Sequence, residues 1–98
     1  MDAIEIDRKR FRISEGAEAE IVIWRVPEPV RGSTHYFKYR LALIVDEVCV
    51  MRYDNEAGKG DHRHVGDAEY EYAFVGVDAV RRDFLLDAGA WLERHNRR

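Results

Sequence analysis

The chain reads as an α+β fold, an antiparallel β-sheet of four to five strands with a C-terminal α-helix packed on one face. Three observations lead there. Apolar and polar side chains alternate with period two through the first three quarters of the chain. The period lengthens to 3.6 at the end. And 98 residues suffice for a single thin core with no second one, so residues 1–98 are expected to form one domain. A chain of this size buries roughly two-thirds of the surface that its unfolded form exposes.

The elements follow in order. Ile4 and Ile6 alternate with charges, as do Phe11 and Ile13, which predicts an edge hairpin or one bent strand. Ser14–Gly16 is a turn. Ile21–Val26 is β-branched and aromatic, a strand that stops at Pro27, and the segment 27–34, with two prolines, Gly32 and Ser33, is a loop. Tyr36–Val45 is the strongest strand, with Phe37, Tyr39, Leu41, Leu43 and Val45 on one face. Asp46-Glu47 turns the chain and Val48–Tyr53 returns as the second arm of a hairpin. Two registers are open: a two-residue turn puts Arg40 opposite Tyr53, and a three-residue bulged turn puts Arg52 on the Arg40 face. The segment 54–66 shows no apolar pattern and carries Gly58, Gly60 and Gly66, so it is expected to be a long loop. Tyr70, Tyr72 and Phe74 alternate as a further strand. Asp78 is a candidate N-cap for a helix whose apolar stripe is Val80, Phe84, Leu85, Ala88, Trp91 and Leu92.

Composition narrows the class. The chain is 46% hydrophobic and 36% charged, which excludes a disordered tail. Its longest apolar runs, near 41–45 and 72–77, fall far short of the ~20 residues of a membrane-spanning helix. The acidic, alternating N-terminus does not resemble a signal peptide. A lone cysteine, Cys49, forms no intramolecular disulfide and fits a reducing interior. It lies mid-strand in an apolar run and is expected to be buried and inert. These features predict a cytoplasmic protein that does not engage a membrane. The net charge of −3 does not by itself indicate nucleic acid. Its distribution says more: Arg25, Arg31, Lys38 and Arg40 face a single acid, Glu28, and Arg94, Arg97 and Arg98 add a basic C-terminus. Such a stripe either tracks a phosphate backbone or is ordinary solvated surface.

The chemistry-bearing residues gather in two segments, 35–40 and 52–64, which the hairpin brings to one end of the sheet. His62-x-His64 puts both rings on one side of an extended chain. The pair can do general acid–base work, ligate a divalent metal together with Asp54, Asp61 or His35, bind phosphate when protonated, or stand as two solvated loop histidines. Lys38 and Arg40 are either solvated strand residues or cations aimed at a phosphoryl oxygen. Gly58-Lys59-Gly60 is only loosely like a phosphate-binding loop, since it lacks the spacing and opens no helix. The tyrosines Tyr36, Tyr39, Tyr53, Tyr70 and Tyr72 can stack on bases, although strand tyrosines more often pack in the core or at its rim.

The runs His35-Tyr36-Phe37-Lys38-Tyr39-Arg40-Leu41, Arg52-Tyr53-Asp54-Asn55-Glu56 and Gly58-Lys59-Gly60-Asp61-His62-Arg63-His64 resemble the TumE-type toxins of toxin–antitoxin pairs. The resemblance covers about Ile21 to Trp91, with Phe37 a small departure from the family's strand. It implies a toxin encoded beside a helix-turn-helix antitoxin that binds and silences it. The residues, together with the analogy to other small toxins, point to an endoribonuclease that needs no metal or other cofactor. His62 or His64 would take the proton of a ribose 2′-hydroxyl, and the other imidazole, or His35, would protonate the leaving 5′-oxygen. Asp54 and Asp61 would orient the histidines. Lys38, Arg40, Arg52 and Lys59 would bind the RNA phosphates. The alternatives are a metal-dependent nuclease using His62, His64 and an aspartate, and a non-catalytic toxin whose loop is a surface for recognising nucleic acid or protein.

Overall fold

Strand-forming sequence runs through most of residues 2–96, the part of the chain that the computed structural model describes. Six strands result: β1 (Ile4–Ser14), β2 (Ala17–Arg25), β3 (Phe37–Val45), β4 (Val48–Glu56), β5 (Gly60–Val65) and β6 (Ala68–Glu71). They lie side by side in sequence order in one antiparallel sheet, and the helix α1 (Val77–Arg94) covers one of its faces. The expected α+β architecture holds, with six strands in place of four to five.

Alternation decides which side chains meet the helix. Ala17, Ala19, Ile21 and Ile23 of β2, Tyr39, Leu41, Leu43 and Val45 of β3, and Met51 and Tyr53 of β4 are all buried beneath it. From α1 come Val80, Phe84, Ala88 and Leu92, a single i, i+4 stripe. Leu85, expected in that stripe, is 43% exposed, because it lies about 100° around the helix from Phe84. Trp91 packs at the rim.

The β3–β4 register combines both options that the sequence left open. Val45 pairs with Val48 around Asp46 and Glu47, whose φ angles of 49° and 68° are those of a tight two-residue connection. The register then slips between Ile44 and Leu43, which pair with Cys49 and Met51, leaving Val50 as a bulge. The bulge reverses the facing of everything beyond it. Without it, Arg52 would point into the core and Met51 and Tyr53 outward. With it, Met51 and Tyr53 are 1% and 4% exposed, and Arg40 lies opposite Asp54 on the other face. Cys49, ahead of the bulge, is exposed rather than buried.

The largest departure is at 54–66, which is no loop. β4 runs on to Glu56, and β5 pairs with it from Gly60, around a three-residue turn. The alternation is hidden because two of the three inward side chains of β5, Asp61 and Arg63, are polar, and only Val65 at its end is apolar. Asp61 and Arg63 face the helix side, where His35, Tyr39 and Asp87 partner them. The aromatic strand is shorter than expected. β6 ends at Glu71, and Tyr72 and Phe74 leave it to bond Asp83 of the helix and to stack on His35. The helix is capped at Gly76, with no side-chain cap, and Asp78 stands in its first turn paired to Arg81. At the N-terminal end the chain forms one long strand, with register shifts near each end, rather than a hairpin of its own.

Candidate functional site

Registers β2–β6 align Val22, Arg40, Asp54, His62 and Glu71 in one row across the sheet. The adjacent row on the same face holds Glu20, Ala42, Arg52, His64 and Glu69. Val22 and Glu20 alternate with the buried Ile21 and Ile23, so these rows stand on the face away from α1. The β4 bulge and the polar β5 strand together build this surface, and neither is an apolar feature.

Charge pairing organises it. Asp54, 8% exposed, accepts a 2.8 Å hydrogen bond from Arg52 Nε through one oxygen, and its other oxygen lies 3.4 Å from His64 Nε2. His64 Nδ1 is 3.9 Å from Glu69, and His62 Nε2 is 3.6 Å from the same carboxylate. The Nδ1 of His62 is 3.2 Å from the Gly60 carbonyl oxygen. As that oxygen can only accept, Nδ1 carries the proton when the ring is neutral and Nε2 holds the lone pair. The two rings are 6.2 Å apart, within reach of one phosphodiester. Beside them, Arg40 donates to Glu20 at 2.7 Å and Lys38 Nζ donates to the Asn55 carbonyl at 3.1 Å. Lys38, Arg40, Arg52 and Asp54, with Val22 and Trp24, line a shallow concavity. Among the described residues, no three His, Cys, Asp or Glu side chains converge as a metal-binding set.

The other predicted site residues are elsewhere. Asp61 alternates with His62 and so faces the helix side, where one oxygen accepts from Ser33 at 2.7 Å. The other takes His35 Nε2 at 2.7 Å and the Tyr39 hydroxyl at 2.6 Å. The Phe37 amide donates to His35 Nδ1, so the neutral ring presents Nε2–H to Asp61. Burial first, and then the Asp61 carboxylate, push the Tyr39 hydroxyl far above its ordinary pKa. His35 and Asp61 therefore tie the 26–36 segment to the end of the sheet, on the far side from His62 and His64. Asn55, 1% exposed, completes this latch by accepting the Tyr39 amide and donating to the Phe37 carbonyl.

The glycines beside Lys59 serve the same latch. Gly58 N–H donates to the Arg31 carbonyl, and Gly60, at φ 78°, passes so close to Gly32 that a Cβ would sit 2.6 Å from its carbonyl oxygen. They permit a backbone crossing, and Lys59 stands exposed at the tip of that turn. The basic stripe is likewise divided. Arg25 lies over Phe37 on the helix side and Arg31 is in the loop, while Lys38 and Arg40 face the open side. Arg97 and Arg98 lie outside the described residues. Sequence reasoning missed Glu69 and Glu20, which reach the histidines and Arg40 only through strand pairing. It also left Trp24 without a place on this face, although alternation with Ile21 and Ile23 carried that signal.

No helix among the described residues is long and apolar enough to cross a membrane. The model of a family described as Toxin TumE matches residues 2–93. No curated protein and no solved structure gives a match.

Proposed function

Since the chain belongs to the TumE family of toxins, which implies an antitoxin partner, we propose that it is a metal-independent endoribonuclease whose reacting groups are His62 and His64. The observation that carries this reading is the pair of imidazoles on one face of β5, beside Asp54 and in the same rows as Arg40 and Arg52. One imidazole accepts the 2′-hydroxyl proton as that oxygen attacks phosphorus. The other gives its proton to the departing 5′-oxygen, leaving a 2′,3′-cyclic phosphate and a 5′-hydroxyl. The hydrogen bond between His62 and Gly60 leaves Nε2 of the neutral ring as the proton acceptor, which favours His62 as the base. Asp54 orients His64, Glu69 stands between the two rings, 3.6 Å from His62 Nε2 and 3.9 Å from His64 Nδ1, and Lys38, Arg40 and Arg52 hold the phosphates and their developing charge. His35 and Asp61 take no part in proton transfer here, because the sheet separates them from the pair. Lys59, at the end of the β4–β5 hairpin, contacts RNA beyond the scissile phosphate.

The partner on this reading is a helix-turn-helix antitoxin encoded nearby, and the setting is the cytoplasm. The test is incubation of the purified chain with single-stranded RNA, with and without EDTA, followed by analysis of product termini. Cyclic-phosphate ends formed equally in EDTA support the reading. Activity lost in EDTA and restored by Mg²⁺ or Mn²⁺ replaces it with metal-dependent cleavage. No cleavage of RNA under any condition removes the enzyme and leaves a binding surface.

A further inference from the structure

Trp24 is, among the described residues, the one strand Phe, Tyr or Trp that projects from the helix-free face. Phe11, Phe37, Tyr39, Tyr53 and Tyr70 pair with Ala19, Arg25, Ile23, Leu41 and Arg63, all on the helix side. Tyr39 and Tyr53 are further committed there by hydrogen bonds to Asp61 and Asp87. The indole instead lies among charges of both signs. The Arg8 guanidinium, itself paired with Glu5, is 5.8 Å from its ring centroid, Glu5 and Lys38 are its cross-strand partners, and it lines one concavity with Val22, Lys38, Arg40, Arg52, Asp54 and Glu56. An aromatic plane with a small apolar neighbour and basic side chains within reach has the two parts of a single-stranded nucleic-acid platform. The ring stacks a base, and the cations hold the phosphates on either side.

We propose that Trp24 is a base-stacking subsite for single-stranded RNA, with Val22 as its apolar floor and Arg8 and Lys38 as its phosphate contacts. The inference rests on the nuclease reading above and names the form of its substrate. β2 lies three strands from β5, about 14 Å at the usual strand spacing. The stacked base is therefore a few nucleotides from the phosphate held between His62 and His64. A duplex does not satisfy this subsite, because its base faces are already stacked.

The experiment measures binding of the full chain to a labelled, 2′-O-methylated oligonucleotide, which offers no 2′-hydroxyl for cleavage. A second probe has the same backbone with the bases near the subsite removed, and a third is the duplex of the first. Wild type should bind the single strand more tightly than the duplex. Trp24→Ala should weaken binding of the single strand by roughly 5- to 150-fold, the range base–aromatic stacking supplies. It should have almost no effect on the abasic probe, and Trp24→Phe should recover most of the loss. An equal loss on both probes would mean that the indole supports the fold and stacks no base, which overturns the proposal. Trp24→Ala binding the single strand as wild type does also overturns it, while RNA cleavage by that variant leaves the nuclease reading standing. If wild type neither binds nor cuts RNA, both fall. If Trp24→Ala then loses capture of the antitoxin, the indole belongs to a protein interface.

Discussion

At the scale of single residues, His62 and His64 owe their arrangement to being two apart on a strand, and their neighbours to register. His62→Ala and His64→Ala should each lower RNA cleavage by about 10²–10⁴-fold, the worth of a positioned acid or base. Binding of the RNA should change little, since the cations supply most of the affinity. Asp54→Asn should cost less than either histidine, since Asp54 acts only through its neighbour. Rate constants and binding isotherms for the three variants check this ordering. Asn55 acts on the fold instead, because its amide bonds both Tyr39 N–H and the Phe37 carbonyl where the β3–β4 ladder opens. Asn55→Ala leaves two buried backbone groups unpaired and should destabilise the fold by about 2–4 kcal/mol, measured by urea unfolding.

At the scale of elements, the helix is held by an apolar stripe and by polar ties, Arg81 to Asp7, Asp83 to Tyr72 and a three-bond clamp at Asp87. Phe84, fully buried, is the largest helical contribution to the core, and Phe84→Ala should cost about 3–5 kcal/mol. In that clamp Asp87 accepts Tyr53 at 2.7 Å and both Arg63 Nε and an Arg63 terminal nitrogen, at 2.5 and 3.0 Å. Burial acts to raise the Asp87 carboxyl, but the hydrogen bonds from Arg63 and Tyr53 outweigh it and hold the group below the usual carboxylate range. A depressed folded-state pKa contributes stability that is present above the unfolded value, about 3.9, and lost as pH falls through the folded one. Asp87→Asn should therefore lose about 1–3 kcal/mol at neutral pH and show a flatter decline in acid than wild type. In alkali the sign reverses through the tyrosines. Burial, and then hydrogen bonds to Asp61, Asp87 and Asp83, raise Tyr39, Tyr53 and Tyr72 well above their ordinary value. The unfolded chain thus releases these protons first, and stability should fall as pH rises beyond about 10. Unfolding free energies measured from about pH 3 to about pH 11, a range that brackets both sets of ordinary values, test both limbs.

At the scale of the whole molecule, the sheet separates two environments. One face carries the helix and the core, with the latch at 26–36 closing its end. The other carries the histidines and cations, and among the described residues no element is laid over them. The sheet's first edge is blunted by Asp7, Arg8, Lys9, Arg10 and Arg12, which resists edge-to-edge pairing with another copy. If Lys38, Arg40 and Arg52 neutralise about three phosphates of a single strand, the logarithm of the binding constant should fall with the logarithm of salt with a slope of about −2, and Lys38→Ala should reduce its magnitude by about 0.7. Titrations at several salt concentrations decide this. A slope near zero would mean that the helix-free face does not carry the phosphates.

Much of this was legible in the residues alone. Period-two runs flanked by Gly16, Pro27 and the Asp46-Glu47 turn marked the strands, and the i, i+4 recurrence of Val80, Phe84, Ala88 and Leu92 marked the helix, because apolar burial leaves a periodic trace in any element that faces a core. The same alternation placed His62 with His64, and the motif runs placed the chain in its family. The tertiary structure alone decided which face each site residue took. A single extra residue, Val50, reverses the facing of Arg52 and Asp54, and nothing local distinguishes it from its neighbours. The β5 strand left no hydrophobic alternation, only Val65 at its end, since its inward Asp61 and Arg63 are stabilised by partners 26 and 24 residues away, His35 and Asp87. Polar pairing over such separations depends on geometry rather than on periodicity, so the two sides of the sheet, and with them the division of His35 from His62 and His64, exist only in the folded chain.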